Sequence, residues 1–173
     1  CLDERHAREA DVRLMFCNTY HLLVHPGPSI VEGAGGPHKW MGHEGALITD
    51  SGGFQVFSLA HASASDTPEL KRRSAERHNN EGVLLRVGER GCAFRSYYDS
   101  STIELSPESS VDAQKAFGAD IIIPLDELPP HGIDRAALAE SVALSHRWEG
   151  RSLARHLADR RTQAMYGVVH GGT

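Results

Sequence analysis

A predicted strand runs into a glycine turn in residues 46–55, whose sequence is Ala46-Leu47-Ile48-Thr49-Asp50-Ser51-Gly52-Gly53-Phe54-Gln55. The apolar start is typical of a buried strand, and Asp50 places a carboxylate where that strand ends. The two glycines let backbone N–H groups approach a ligand closely. Phe54 adds a flat apolar face and Gln55 adds an amide, so the segment suits a planar molecule such as a nucleobase. Spacing alone favours a simpler interpretation, in which Asp50 caps a turn and Phe54 belongs to the core.

The same arrangement of an apolar strand followed by polar residues recurs twice later in the chain. Residues 121–125 form an unbroken apolar run of the kind found in strands buried on both faces, and Asp126 and Glu127 follow it. Residues 165–169 are predicted to form another buried strand, which ends in His170 and two glycines. Polar groups therefore follow three of the predicted strands.

Helix signals lie between these strands. Pro28 is suited to the first turn of a helix that we predict to run to about Ala34. Ser106, followed by proline and glutamate, predicts a capped helix start, and Gly118 is the expected C-cap of that helix. Asp134 is expected to cap a long helix. Strands and helices therefore alternate along the chain.

This alternation, which begins with a short predicted strand over residues 12–16, indicates an α/β fold with a parallel sheet. The chemically interesting residues follow the carboxyl ends of strands, where (β/α)8 barrels build their active sites. We therefore predict a partial TIM barrel, with an open doubly wound sheet as the alternative. Because the sequence stops directly after a strand, residues 1–173 are expected to be the N-terminal portion of one larger barrel domain.

Residues 61–91 interrupt the alternation, because Ser, Thr, Glu, Lys, Arg and Asn dominate there. They predict an inserted surface excursion that contains a hairpin, with residues 83–87 paired to residues 92–96. The basic cluster at residues 71–73 is typical of a solvated face, and contact with a phosphate backbone is the alternative. Residues 56–59 are expected to continue in extended conformation after Gln55.

Composition limits the classes of function that fit. The chain has 173 residues, of which 40% are hydrophobic, and this suffices for one domain with a core. A formal charge of −5 excludes a global basic field, so nucleic-acid contact would need a local patch. Three scattered cysteines indicate neither a disulfide framework nor a zinc site. Without an evident leader or long apolar segment, we expect no membrane association and a cytoplasmic location.

The polar strand ends could carry out chemistry on a glycosidic bond. Asp50 and Asp126 could divide the roles of ionised carboxylate and proton carrier. A base stacked on Phe54 could donate paired N–H groups to Asp126, with Gln55 at an exocyclic oxygen. Exchange of the base would then need an acid or base at the leaving nitrogen and a nucleophile at the sugar carbon.

Two neighbouring residues are weaker candidates. A single histidine such as His170 is more often a hydrogen-bonded structural residue than a catalytic one, although its position at a strand end favours a role in the site. Glu127 is the weakest candidate, because adjacent residues on a strand point to opposite faces.

An ordered set of motifs carries a resemblance to a known family. From about residue 12 to the last residue, the chain resembles the tRNA-guanine transglycosylases, or queuine tRNA-ribosyltransferases, and in particular their chlamydial branch. The motifs are Asn18-Thr19-Tyr20-His21-Leu22, Pro26-Gly27, Thr49-Asp50-Ser51-Gly52-Gly53-Phe54-Gln55, Phe94-Arg95-Ser96, Leu105-Ser106-Pro107-Glu108, Gly118-Ala119-Asp120-Ile121 and Gly171-Gly172.

The resemblance implies a (β/α)8 barrel that exchanges the wobble guanine of certain tRNA anticodons for a 7-deazaguanine, either queuine or its precursor. The exchange would pass through a covalent enzyme–RNA intermediate. By motif match, Asp50 would be the general acid/base, Phe54 would stack on the base and Asp126 would hold its purine edge. The same resemblance implies further residues that line the pocket, namely Ser51, Gly53, Gln55, His170 and Gly171.

The family's nucleophilic aspartate and its zinc ligands would lie beyond Thr173, so this chain alone is expected to be inactive. The full-length protein is expected to bind zinc, to form a homodimer and to act on tRNA. His170 stands where most bacterial members have glutamine, and Leu128 stands where many have cysteine. The alternatives are an accessory tRNA-binding homologue without turnover and a glycosidase with paired carboxylates, which would leave Phe54 and Gln55 without a role.

Overall fold

The computed structural model describes residues 3–62, 84–130 and 132–170. In chain order the helices are α1 (Glu4–Glu9), α2 (Thr19–Val24), α3 (Pro28–Gly33), α4 (Gly36–Met41), α5 (Gly53–Ala62), α6 (Pro107–Phe117) and α7 (Arg135–Ala158). The strands are β1 (Leu14–Cys17), β2 (Ala46–Thr49), β3 (Leu84–Gly88), β4 (Gly91–Arg95), β5 (Thr102–Leu105), β6 (Ile121–Ile122) and β7 (Ala164–Met165). None of the helices in these ranges is long and apolar enough to cross a bilayer.

A four-stranded parallel sheet carries the polar strand ends, in the order β1-β2-β6-β7. Cys17 is paired with Thr49, so the residues that follow β1 and β2 lie side by side. Ile48 pairs with Ile121, and Ile122 pairs with Met165. The predicted α/β fold with a parallel sheet is confirmed. Within the described ranges the sheet does not close into a barrel.

Helix α6 follows the predicted signals at both ends. The Ser106 hydroxyl oxygen accepts the Ser109 N–H at 3.1 Å, and Pro107 occupies the first turn. Gly118 ends the helix at φ 73°, a left-handed conformation that favours glycine. Between these ends α6 buries Val111 and Phe117 completely. The local cap residues therefore position a helix that packs Val111 against Ile122 of β6 and Phe117 against Val31 of α3.

Gln114 on α6 connects the helix to β2 and to Ile123, the residue after β6. Its side-chain oxygen accepts the Thr49 hydroxyl at 3.0 Å and the Ile123 N–H at 2.9 Å. Its side-chain nitrogen donates to the Ile123 carbonyl at 2.8 Å. Gln114 is completely buried. If its side chain were removed, water could not reach the Thr49 and Ile123 groups to take over these hydrogen bonds.

We expect Gln114→Ala to lower the free energy of unfolding by about 2–4 kcal/mol, because it leaves several buried polar groups without partners. Urea titration followed by circular dichroism measures the change. The matched control is Asp112→Asn on the same helix, where loss of an exposed ion pair should cost less than about 1 kcal/mol. Equal stability of the two variants would contradict this role of Gln114.

The predicted hairpin is confirmed and belongs to a three-stranded antiparallel sheet in the order β3-β4-β5. The third strand was not predicted. Val83, at which the predicted hairpin began, and the basic cluster at residues 71–73 lie outside the described residues. The inserted sheet buries Phe94 and Leu105 in one cluster with Trp148 of α7, so it is part of the core.

Three strand predictions need correction. Residues 56–59 lie in helix α5 and are not extended, because Gly52, at φ 85°, turns the chain at the end of β2. The buried run 121–125 is a strand only as far as Ile122, and Pro124 has no N–H to extend the pairing. The predicted strand 165–169 stops at Met165, and beyond it Val169 is 95% exposed.

Helix α7 begins where predicted, because the Asp134 carboxylate accepts the N–H groups of Ala136 and Ala137 at 2.9 Å each. Further along α7, Arg151 holds Glu108 with two bonds of 2.7 Å. This bidentate pair lowers the pKa of Glu108 from 4.5 to about 2. The pair ties the start of α6 to the long helix.

The Glu108–Arg151 pair makes stability depend on pH. Because the folded-state pKa of Glu108 is depressed, its stabilisation is fully present above pH 4.5 and is lost as the pH falls towards about 2. The wild type should therefore lose free energy of unfolding as the pH falls from 4.5 towards about 2. We expect Glu108→Gln to lose less over the same pH range, because glutamine does not titrate. Unfolding titrations at several pH values measure this difference, and parallel pH profiles of the two proteins would contradict it.

Candidate active site

Asp50 is fixed by residues that follow the neighbouring strand. Its Oδ1 accepts the backbone N–H of Thr19 at 2.7 Å, and its Oδ2 accepts the side-chain Nδ2 of Asn18 at 3.2 Å. Asn18 is also the N-cap of α2, since its side-chain oxygen accepts the His21 N–H at 3.2 Å. The parallel register of β1 and β2 therefore sets the position of the carboxylate.

Burial raises the pKa of Asp50 above its ordinary value, and the backbone N–H of Thr19 lowers it in part. The hydrogen bonds stabilise the ionised form while desolvation favours the neutral one. The raised pKa makes the Asp50 carboxylate a stronger base than an exposed aspartate. This is the property that general acid/base catalysis requires.

The glycine turn brings the ends of β2 and β6 together. A Cβ atom at Gly53 would lie 2.9 Å from Leu125 Cδ1 and 3.2 Å from the carbonyl oxygen of Asp126. The Ser51 hydroxyl oxygen accepts the Gly53 N–H at 3.2 Å, and its carbonyl accepts the Ser110 hydroxyl at 2.7 Å. Gly53 thus allows a close approach, and the turn lies directly against the segment that carries Asp126.

Phe54 and Gln55 project from the first turn of α5. Phe54 is 57% exposed, so the interpretation that it belongs to the core is wrong. The side-chain oxygen of Gln55 is buried and, among the described residues, has no hydrogen-bond partner. An exposed ring and a buried side-chain oxygen without a partner therefore lie beside the glycine turn.

Asp126 and His170 lie together in the segments that follow β6 and β7. His170 Nε2 is 3.6 Å from Asp126 Oδ2, which is longer than a hydrogen bond, and both side chains are 12% exposed. His170 Nε2 is buried and lacks a partner within the described part of the chain. Burial raises the pKa of Asp126, and the nearby His170 lowers it in part. The pair retains hydrogen-bonding capacity for a third group.

Glu127 does not belong to this site. Its backbone N–H donates to the Ser145 hydroxyl at 2.9 Å, which fixes the segment after β6 against α7. Glu127 lines a different cavity, of about 490 Å³, between the inserted sheet and the start of α7. This position agrees with the prediction from sequence that Glu127 is the weakest candidate for the site.

Three residues of the site were not singled out by reasoning from residue types. Asn18 and Thr19 hold Asp50, and the register of two parallel strands could have revealed them. Glu149 on α7 has a buried carboxylate oxygen without a partner among the described residues. Burial raises the pKa of Glu149, His170 lowers it and Asp126 raises it, so it belongs to the same electrostatic group. Nothing in the helical pattern distinguishes Glu149 from a surface glutamate.

The structure therefore brings Asp50, Ser51 and Gly53 into one turn, beside Phe54, Gln55 and the end of β6, and it pairs Asp126 with His170. Gly171, which the resemblance placed in the pocket, lies outside the described residues. Within residues 3–62, 84–130 and 132–170 no group of three or more histidine, cysteine or acidic side chains could hold a metal ion. The described site thus offers carboxylates, amides and an aromatic face for a planar polar ligand.

Comparisons with known proteins identify the family of the chain. A family model described as queuine tRNA-ribosyltransferase matches residues 2–173. Proteins named queuine tRNA-ribosyltransferase from Protochlamydia amoebophila and Chlamydia pneumoniae are 55% and 50% identical over 93% and 94% of this chain. The protein of that name from Chlamydia muridarum is 49% identical over 95%. The chain covers only 41% to 43% of these relatives. It belongs to the queuine tRNA-ribosyltransferase family, with chlamydial members among its relatives.

Proposed function

We propose that the complete protein exchanges the wobble guanine of tRNA for a 7-deazaguanine, through a covalent enzyme–RNA intermediate. The observation that carries this proposal is the half-buried Asp50 carboxylate, held by the Thr19 N–H at 2.7 Å on a turn packed against the Asp126 segment. Residues 1–173 would supply the acid/base and base-binding part of a TIM-barrel domain. The presence of both carboxylates favours an enzyme over an accessory subunit, which needs neither.

In the proposed base pocket, Asp126 accepts the adjacent N–H groups on the guanine edge, because an ionised carboxylate offers two acceptor oxygens. Phe54 stacks on the purine plane with its exposed ring. We assign Gln55 the donation of an amide N–H to the exocyclic oxygen. His170 Nε2, which has no hydrogen-bond partner among the described residues, adds one further bond. Ser51, Gly53 and Gly171 complete the lining.

In the proposed exchange, Asp50 gives one proton to the leaving base and recovers one from the entering base. A nucleophilic aspartate outside this chain attacks C1′ of the ribose, and the glycosidic C–N bond breaks. The departing guanine takes up a proton from Asp50. The incoming 7-deazaguanine returns a proton to Asp50 as its nitrogen displaces the aspartate and forms the new C–N bond. Asp50 is thus acid in one half-reaction and base in the other.

His170 offers a bound base a different set of hydrogen-bond donors and acceptors from those of a glutamine at the same position. An imidazole nitrogen presents either one donor or one acceptor, whereas a glutamine amide presents both. His170 would therefore contribute to the choice between queuine and its precursor.

Further features of the family are proposals for the complete protein. We propose that zinc is bound by residues outside the described ranges, since those ranges contain no group of three or more candidate ligands. We further propose a homodimer that acts in the cytoplasm on tRNA.

Incorporation of radiolabelled guanine into tRNA tests the function. The complete gene product is incubated with a tRNA that carries guanine at the wobble position, and with the same tRNA carrying adenine there as the control. We expect label only in the first tRNA, with about one label per tRNA at saturation. Failure to label the wobble-guanine tRNA would contradict the proposed exchange.

A further inference from the structure

Four exposed rings lie beside the Asp50 site, and we call them the aromatic platform: His21, His25, Tyr97 and Tyr98. Tyr98 stacks on His25 with ring centroids 4.3 Å apart and planes 21° from parallel. Tyr97 meets His21 edge-on, at 5.9 Å and 69°. Tyr97 and Tyr98 are 58% and 63% exposed. Two neighbouring tyrosine rings therefore present open surface to solvent.

The platform rests on an ordered support. The Tyr97 ring lies 5.9 Å from the ring of buried Tyr20, which packs on buried Phe94 at 5.2 Å. The Ser96 hydroxyl oxygen accepts the N–H groups of Tyr98 at 3.2 Å and Asp99 at 3.4 Å. Because the core and the turn fix the backbone beneath the rings, binding would cost little conformational entropy.

Hydrogen bonds connect the platform to the candidate site. The His21 N–H donates to the Asn18 side-chain oxygen, and the Asn18 side-chain nitrogen donates to Asp50. His21 is also close enough to Asp50 to lower the pKa of that carboxyl. The platform therefore begins at the residues that hold the proposed acid/base.

We propose that the aromatic platform stacks an unpaired base of the substrate RNA, next to the base that is exchanged. This proposal rests on the proposed function and adds a substrate contact to it. Aromatic rings stack on any base, so the contact provides affinity without reading sequence. Arg95 is exposed directly before the turn, and its guanidinium carries the charge that a backbone phosphate attracts. Residues 1–173 carry a formal charge of −5, so RNA contact within them needs a local surface such as this one.

The test uses the complete gene product and an RNA hairpin with the sequence of the anticodon stem-loop, carrying 2-aminopurine at one unpaired position at a time. We expect Tyr98→Ala and Tyr97→Ala each to weaken hairpin binding about 5- to 100-fold, as loss of one stacked base predicts. Quenching of one 2-aminopurine should be lost at the same time. The controls Tyr98→Phe and Tyr97→Phe keep the ring and should bind the hairpin within about twofold of the wild type. Affinity for free guanine should not change.

The outcomes separate this proposal from the proposed function. If the wild type incorporates guanine and the alanine variants bind the hairpin with wild-type affinity, the platform proposal is wrong and the exchange reaction stands. Unchanged hairpin binding together with a lower melting temperature would mean that protein covers the rings, which also overturns the proposal. If the wild type neither binds the hairpin nor incorporates guanine, both proposals are wrong.

Discussion

Replacing Asp50 with asparagine is expected to lower the rate of guanine exchange about 10²- to 10⁴-fold, the contribution typical of a general acid/base. Asparagine has nearly the same shape and can still accept the Thr19 N–H through its side-chain oxygen. It cannot, however, take up or release the proton that the leaving and entering bases require. The affinity for guanine and for RNA should therefore remain close to that of the wild type.

Kinetics of label incorporation at saturating tRNA measure this effect. Asp112→Asn is the matched control, because it makes the same chemical change at an exposed ion pair with Arg155. It should exchange guanine at the wild-type rate. If Asp50→Asn also retained wild-type exchange while its fold was intact, Asp50 would not be the proton carrier.

Replacing Asp126 with asparagine should weaken guanine binding about 30- to 1,000-fold, the range expected when one partner of a buried charged hydrogen bond is removed. The new side-chain NH₂ group would face an N–H donor of guanine, where the carboxylate had offered an acceptor. Calorimetric titration with guanine measures the loss. Glu127→Gln is the neighbouring control, because Glu127 lines the other cavity, and it should leave guanine affinity unchanged.

Stability separates this binding role from a structural one. Burial raises the pKa of Asp126, so the ionised side chain costs free energy in the folded state above the raised pKa, and that cost is relieved as the pH falls through it. Asp126→Asn removes a buried charge, so at neutral pH the free energy of unfolding should stay constant or increase. A strongly destabilised Asp126→Asn protein, or one with unchanged guanine affinity, would contradict the assignment.

Sequence predicted the elements whose signals are local. Ser106, Gly118 and Asp134 cap helices by contacts within a few residues, and each cap occurs as predicted. Residues 56–59 were mistaken for a strand because a short apolar run fits either element. Their helix follows from the turn at Gly52 and from packing against distant parts of the chain, and neither effect is visible in the run itself.

In the candidate site, too, local sequence patterns indicated some residues, whereas contacts between distant parts of the chain were not predicted. Asp50 and Asp126 were predicted because both follow apolar runs, and parallel strands bring such ends to one edge of a sheet. The bond from Thr19 to Asp50 spans 31 residues and depends on the register of β1 and β2. The proximity of Glu149 to His170 depends on how α7 packs, and no residue pattern predicted it.

The most direct test of the account is a crystal structure of the complete gene product with guanine bound. We predict that the purine plane lies on the exposed face of Phe54, that Asp126 accepts the N–H groups of its edge, and that Asp50 lies beside the nitrogen that would join the ribose. Guanine bound away from Phe54 and Asp126, with the complete chain folded as described here, would contradict the central claim.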